Sequence, residues 1–168
     1  LMTVPEIRPV ALPIHFEGTR AAIRANLETR RAARASLAAG HTLAVFPAGA
    51  VATAPTPFGR AVDLPWKNFT ARVVQDARAS VLPVRIEGQN SPLFHAASRL
   101  GETARLSLLV SEFIRDFHDT TIRVHAGAIV PFGALRETLN GERLTQEFRA
   151  RVEALGNASD ADARRGTT

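Results

Sequence analysis

Apolar residues recur along this chain in short runs and in stripes at helical spacing. Short apolar runs at residues 42–46 and 81–86 predict buried strands, and alternation over residues 120–130 predicts another. Residues 8–16 carry two prolines, which predicts an edge strand or a broken strand. Because strands alternate with helical patterns, we expect an α/β domain whose sheet is mixed or mostly parallel and is flanked by helices.

Four helices are predicted from apolar stripes with a period of about 3.6 residues. The first begins at Thr19 and ends at Gly40, and its alanines would let it pack closely against a sheet. Asp63 and Pro65 open the second helix, and the last helix ends at Gly156. The later stripes are Trp66, Phe69, Val73 and Ala77; Leu106, Leu109, Val110, Phe113 and Phe117; and Leu144, Phe148, Val152 and Leu155. We expect one domain over residues 1–156 and a disordered tail over residues 157–168.

Composition narrows the class of protein. The chain has 168 residues, 45% of them hydrophobic, which suits one globular core. The absence of cysteine excludes disulfides, zinc–thiolate sites and thiol nucleophiles. No apolar run approaches the roughly 18 residues of a transmembrane helix. A net charge of +5 without tyrosine or a concentrated basic stripe argues against nucleic acid as a partner.

Arginines gather on one face of the first predicted helix, where Ile23 and Leu27 are interleaved with them. A face of this kind can lie on an anionic lipid surface. Alternatively, it is a solvated face on which the arginine stems cover apolar neighbours. The arginines are Arg20, Arg24, Arg30, Arg31 and Arg34.

Two segments place proline and small residues directly after predicted strands, one after Phe46 and one after Ile86. Proline fixes the direction of the exit, and glycine allows a bound group to approach the backbone. Ligands of open α/β sheets bind where strands end, so these two loops form the candidate site. From the residues alone, an ordinary turn after a strand is the favoured interpretation of each segment. The sequence contains no nucleophile elbow, P-loop, dinucleotide fingerprint or zinc-protease motif.

The ordered set of segments F-P-A-G, W-K, L-P-V and G-Q-N-S-P-L-F resembles the phospholipid/glycerol acyltransferases. It looks most like their bacterial lysophospholipid acyltransferase or haemolysin-like branch, and the resemblance covers residues 7–155. It implies a glycerolipid acyltransferase-like fold, of which this chain is the C-terminal part. The residues that it assigns to the substrate cleft are Phe46, Pro47, Ala48, Gly49, Thr53, Pro83, Gly88, Asn90 and Ser91.

The resemblance also implies an activity and its partners. A fatty acyl group would move from acyl-CoA or acyl-carrier protein to a lysophospholipid or glycerol-phosphate hydroxyl in phospholipid synthesis. It implies no cofactor besides this acyl thioester donor, and no metal. The expected partners are the lysophospholipid acceptor, the donor and an anionic membrane surface, at the cytoplasmic face of the bacterial inner membrane, where the enzyme would be peripheral.

The catalytic signature of that family, His-x-x-x-x-Asp, is absent. Its histidine acts as general base and its aspartate orients the imidazole. The residues five positions after the histidines of this chain are Arg20, Phe46, Leu100, Arg123 and Val130. Ala48 and Ala50 also stand where the family commonly has Glu and Thr. Since Leu1 precedes Met2, we expect a segment of a longer polypeptide whose upstream part holds the base. The alternative is a lipid- or membrane-binding relative without catalysis, and no catalytic residue is assigned.

Overall fold

The computed structural model describes residues 5–56, 58–88, 90–97, 121–135 and 140–165. Within these ranges the chain forms four α-helices, two strands and one 3-10 turn (Phe132–Ala134). The helices are α1 (Arg20–Ala38), α2 (Phe69–Ala77), α3 (Pro92–Ala97) and α4 (Gly141–Arg165), and the strands are β1 (Val84–Ile86) and β2 (Val124–Ala126). The predicted mixed α/β class is therefore confirmed. The helix predicted over residues 106–117 lies outside the described residues.

The two strands pair antiparallel, with Arg85 opposite His125. A bridge between Val81 and Val130 extends the pairing, with N–O distances of 2.9 and 2.8 Å. In the part of the chain that the structure describes, this is the only sheet, so the mostly parallel sheet is not found there. Both strands lie inside predicted ones, but each has only three residues.

The strands predicted at residues 8–16 and 42–46 are not formed. Side chains of α1 bind the backbone of the first segment: Asn26 exchanges two hydrogen bonds with the His15 backbone, at 2.8 and 2.7 Å. The Thr29 hydroxyl donates to the Pro13 carbonyl oxygen at 2.7 Å. Helix side chains thus take the backbone groups that a neighbouring strand would have taken. In the second segment Phe46 is 76% exposed, so the run is apolar without being buried.

Helix α1 has the predicted ends. The Thr19 hydroxyl accepts a hydrogen bond from the Ala22 N–H at 3.1 Å, and Gly40 follows the helix with a φ of +85°. Its buried residues are Ala22, Thr29 and Ala33, whereas Ala21 and Ala32 are exposed. The helix packs on α2 rather than on a sheet, and Arg30 and Asp76 join the two helices in an ion pair of 2.6 Å.

Helix α2 begins at Phe69, later than the predicted start at Asp63. The Asp63 carboxylate accepts a hydrogen bond from the Trp66 indole N–H at 3.0 Å, so it is used before the helix rather than as its cap. The helix ends at Arg78, whose φ is +49° and whose guanidinium lies 4.8 Å from the centre of the Phe132 ring.

The main core lies between α2 and α4. Trp66, Val81 and Phe132 pack against its margin. Its buried members are Ala71, Val74, Val130, Leu135, Leu144 and Phe148. Of the predicted stripes, Leu144 and Phe148 lie in this core and Trp66 lies at its margin. On α2 the core residues are Ala71 and Val74 instead of the predicted Phe69 and Ala77, which are half-buried.

Helix α4 runs through Gly156 to Arg165, so the end predicted at Gly156 is wrong. A Cβ on this glycine would meet the Arg85 guanidinium, which lies against the helix at that point. Gly156 therefore provides room for a side chain instead of ending the helix. The division of the chain into a domain and a tail stays a prediction.

Candidate functional site

The loop after Phe46 begins with a tight turn. The Gly49 N–H donates to the Phe46 carbonyl oxygen at 3.1 Å, and the Pro47 carbonyl oxygen accepts from the Lys67 N–H at 3.0 Å. Gly49 has a φ of +69°, and the Phe16 ring lies where its Cβ would be. This glycine therefore has a structural reason to be there, besides any approach of a ligand.

The same loop is closed further along by a second pair of hydrogen bonds. Thr53 and Val62 exchange backbone hydrogen bonds of 3.3 and 3.0 Å. Ala48 and Ala54 are both buried, although Phe46 is exposed. Ala48 and Ala54 therefore lie on the inner side of the loop, whereas Gly49 is exposed.

The segment after Ile86 precedes α3. Pro83 is buried and its carbonyl oxygen accepts from the Gly127 N–H at 2.9 Å. Gly88 has a φ of +123° and open space around its α-carbon. The Ser91 hydroxyl accepts a hydrogen bond from the Phe94 N–H at 3.3 Å, and Asn90 beside it is half-buried.

A hydrogen bond joins the two loops. The Ala54 N–H donates to Nδ1 of His95 at 3.2 Å, which joins residues 41 positions apart. Phe94 and His95 are both fully buried, and their rings pack edge to face with centres 5.6 Å apart. This contact connects the neighbourhood of Thr53 with that of Ser91. Among the hydrogen bonds of the described residues, none joins Phe46 or Gly49 to Gly88 or Asn90.

The structure draws attention to His95 and to the Glu87–His125 pair, which the sequence did not single out. His95 follows the G-Q-N-S-P-L-F segment directly, but among five scattered histidines it carried no signal of its own. The Glu87 carboxylate accepts a hydrogen bond from Nε2 of His125 at 2.7 Å, and both side chains are half-buried. Only the register of β1 and β2 brings these two residues together, and that register cannot be read from the sequence.

A second surface of interest is the outer face of α1. Its residues fall within an arc of about 100° at 3.6 residues per turn. We call this face the arginine arc: Arg20, Ile23, Arg24, Leu27, Arg31 and Arg34. Ile23 is 57% exposed and Leu27 is 47% exposed. Arg30, which the sequence placed with these residues, points elsewhere and pairs with Asp76.

Neither a metal site nor a membrane span is found where the structure describes the chain. No three His, Asp or Glu side chains there are grouped so as to hold a metal ion. None of the described helices is both long and apolar enough to cross a bilayer. A hollow of about 250 Å³ lies between α1 and residues 15–19, and none of the predicted cleft residues lines it.

Comparison of the chain with models of protein families, with curated proteins and with solved structures finds no match. The resemblance to acyltransferases therefore rests on the segments F-P-A-G, W-K, L-P-V and G-Q-N-S-P-L-F and on their order.

Proposed function

We propose that this chain forms the acceptor-binding part of an acyltransferase. The enzyme would transfer a fatty acyl group from a CoA or acyl-carrier-protein thioester to a hydroxyl of a lysophospholipid or glycerol phosphate. One observation carries the proposal beyond the sequence: the hydrogen bond from Ala54 to His95 joins the two loops that the resemblance assigns to one cleft. Ala54 and His95 lie outside the F-P-A-G and G-Q-N-S-P-L-F segments, but Ala54 directly follows Thr53 and His95 directly follows Phe94.

The chemistry of these loops suits a phosphorylated acceptor. Thr53, Asn90 and Ser91 carry hydroxyl or amide donors that can bind phosphate or glycerol oxygens. No atom lies within 4 Å of the position that a Cβ on Gly88 would take, so a bound group can come close to the backbone there. The acceptor hydroxyl would attack the thioester carbonyl, the C–S bond would break, and a base would take the hydroxyl proton while the thiol leaves.

No His-x-x-x-x-Asp segment is present to supply that base. The Glu87–His125 pair is a histidine held by a carboxylate, but it lies outside the segments that match the family. We therefore expect the isolated chain to bind the acceptor without acyl transfer, and the complete enzyme to need a base from another segment.

Replacing Asn90 by alanine is expected to weaken acceptor binding about tenfold, the loss of about one hydrogen bond. Binding of glycerol 3-phosphate and of a soluble short-chain lysophospholipid would be measured by calorimetry. Asn68→Ala is the matched control, because the Asn68 side chain makes no capping hydrogen bond and lies outside the cleft. If neither acceptor binds, or if the isolated chain turns over acyl-CoA and acceptor rapidly, the proposal is wrong.

The arginine arc favours a second candidate function, a module that docks on anionic membrane without catalysis. Four guanidinium groups on one helix face would attract anionic headgroups, and the exposed Ile23 and Leu27 would enter the interface between them. This function needs no base, and it agrees with the absence of the catalytic signature. Sustained acyl transfer by a longer form of the protein would argue against it.

The double variant Arg24→Gln/Arg31→Gln is expected to bind anionic vesicles about 30-fold more weakly, at roughly 1 kcal/mol for each arginine. Co-sedimentation with vesicles containing phosphatidylglycerol measures this, and vesicles of phosphatidylcholine alone supply the uncharged reference. Arg143→Gln, an exposed arginine near the start of α4, is the matched control. Equal binding to both kinds of vesicle, or equal binding by both variants, would show that the arc is only a solvated face.

A further inference from the structure

His95 is a buried histidine with one ring nitrogen in use. Its exposed fraction is 1%, and its Nδ1 accepts the Ala54 N–H. A backbone N–H can only donate, so Nδ1 carries no proton in this arrangement. The proton of the neutral ring is then on Nε2, which makes Nε2 a hydrogen-bond donor.

The Nε2 donor is buried, and in the part of the chain that the structure describes it has no hydrogen-bond partner. A buried donor without an acceptor is costly, and almost all buried polar groups in proteins are paired. Such an exception makes His95 a candidate for contact with a bound group.

The position of His95 suggests what that is. The residue stands in α3, directly after the G-Q-N-S-P-L-F segment, and it touches the loop that contains Thr53. Thr53 and Ser91 therefore lie within one or a few residues of the two ends of the Ala54–His95 hydrogen bond. Both residues carry hydroxyl groups, and a phosphate group has several oxygens that can accept from more than one donor at once.

We infer that Nε2 of His95 donates a hydrogen bond to a phosphate oxygen of the acceptor, which makes His95 a binding residue of the cleft. The inference rests on the proposed function for the identity of the acceptor, but the site itself requires only a phosphate group. Nε2 has almost no accessible surface, so the phosphate oxygen has to reach it while the Ala54–His95 hydrogen bond stays in place.

His95→Asn separates the two roles of the ring. The asparagine side-chain oxygen can accept the Ala54 N–H in place of Nδ1, whereas the Nε2 donor is lost. We expect the variant to keep the fold and to bind glycerol 3-phosphate about ten- to a hundredfold more weakly, the range for a hydrogen bond to a charged group. His41→Asn is the matched control, because His41 is exposed and its Nδ1 lies 3.2 Å from the Ser36 hydroxyl.

NMR of the wild-type chain with ¹⁵N-labelled histidine gives a second readout that needs no variant. The Nε2 signal of His95 is expected to shift on addition of glycerol 3-phosphate or a lysophospholipid, and not with an uncharged monoacylglycerol. If the acceptor binds wild type and His95→Asn equally, and the signal does not move, the role of His95 is overturned while the proposed function stands. If inorganic phosphate moves the signal but no lipid acceptor binds, the phosphate site stands and the acyltransferase proposal falls.

Discussion

Replacing Phe148 by alanine is expected to lower the free energy of unfolding by about 3–5 kcal/mol. Phe148 is buried in the core between α2 and α4, together with Leu144, Val74 and Ala71. Truncating a buried phenylalanine removes its apolar surface from the core and leaves a cavity that neighbours fill only in part. Urea denaturation followed by circular dichroism measures the change.

Phe58→Ala is the matched control, since Phe58 is 89% exposed and its truncation should change the stability by no more than about 0.5 kcal/mol. The core also contains Val130, which pairs with Val81 just before β1. Loss of Phe148 should therefore speed amide exchange at Val81 and Val130, although both are remote from residue 148 in the sequence. Equal destabilisation by the two variants would mean that the α2–α4 contact is not the main core.

Helix ends were predictable where the deciding chemistry is local. Thr19 caps α1 through a residue three positions away, and Gly40 supplies the left-handed conformation after the helix. The start of α2 was not predictable in this way, because Asp63 has another partner. Its carboxylate serves the Trp66 indole instead of the helix, and both uses fit the same residue type. The start of α2 therefore lay six residues from its prediction.

Strands were harder to predict, because a strand needs a partner as well as an apolar pattern. Residues 42–46 have the pattern, but no strand in the described part of the chain pairs with them. Residues 13 and 15 have backbone groups that Thr29 and Asn26 of α1 bind instead. The fold class followed from the alternation of patterns, whereas the direction and extent of the sheet depended on long-range pairing.

In the candidate site, too, local features were predictable from the sequence and long-range contacts were not. The two loops were predictable from proline, glycine and their place after apolar runs. The Ala54–His95 hydrogen bond, which joins them, spans 41 positions and depends on how the chain closes. The Glu87–His125 pair spans 38 positions and depends on the register of two strands. Single residues of this kind leave no periodic signal in a sequence.

Gly49→Ala is expected to lower the free energy of unfolding by about 2–3 kcal/mol. Two costs add: roughly 1–2 kcal/mol for alanine in the left-handed region and about 1 kcal/mol for moving the Phe16 ring. The free-energy cost of moving the ring is at the low end of the range for overpacking, because Phe16 is half exposed and has room to move. Gly49 has a φ of +69°, and the ring occupies the place of its Cβ. Thermal and urea denaturation measure the loss.

Gly40→Ala is the matched control, since Gly40 has a φ of +85° but nothing within 4 Å of its Cβ position. It should show only the cost of the left-handed conformation. In a Phe16→Ala background the ring is gone, so Gly49→Ala should then cost about as much as Gly40→Ala. If Gly49 is present only to let a ligand approach, Gly49→Ala and Gly40→Ala lower the free energy of unfolding of the wild type equally. The two variants then differ only in how well they bind the acceptor. A larger loss at Gly49 that disappears without Phe16 would instead assign the glycine to the packing of residues 11–16 on the loop.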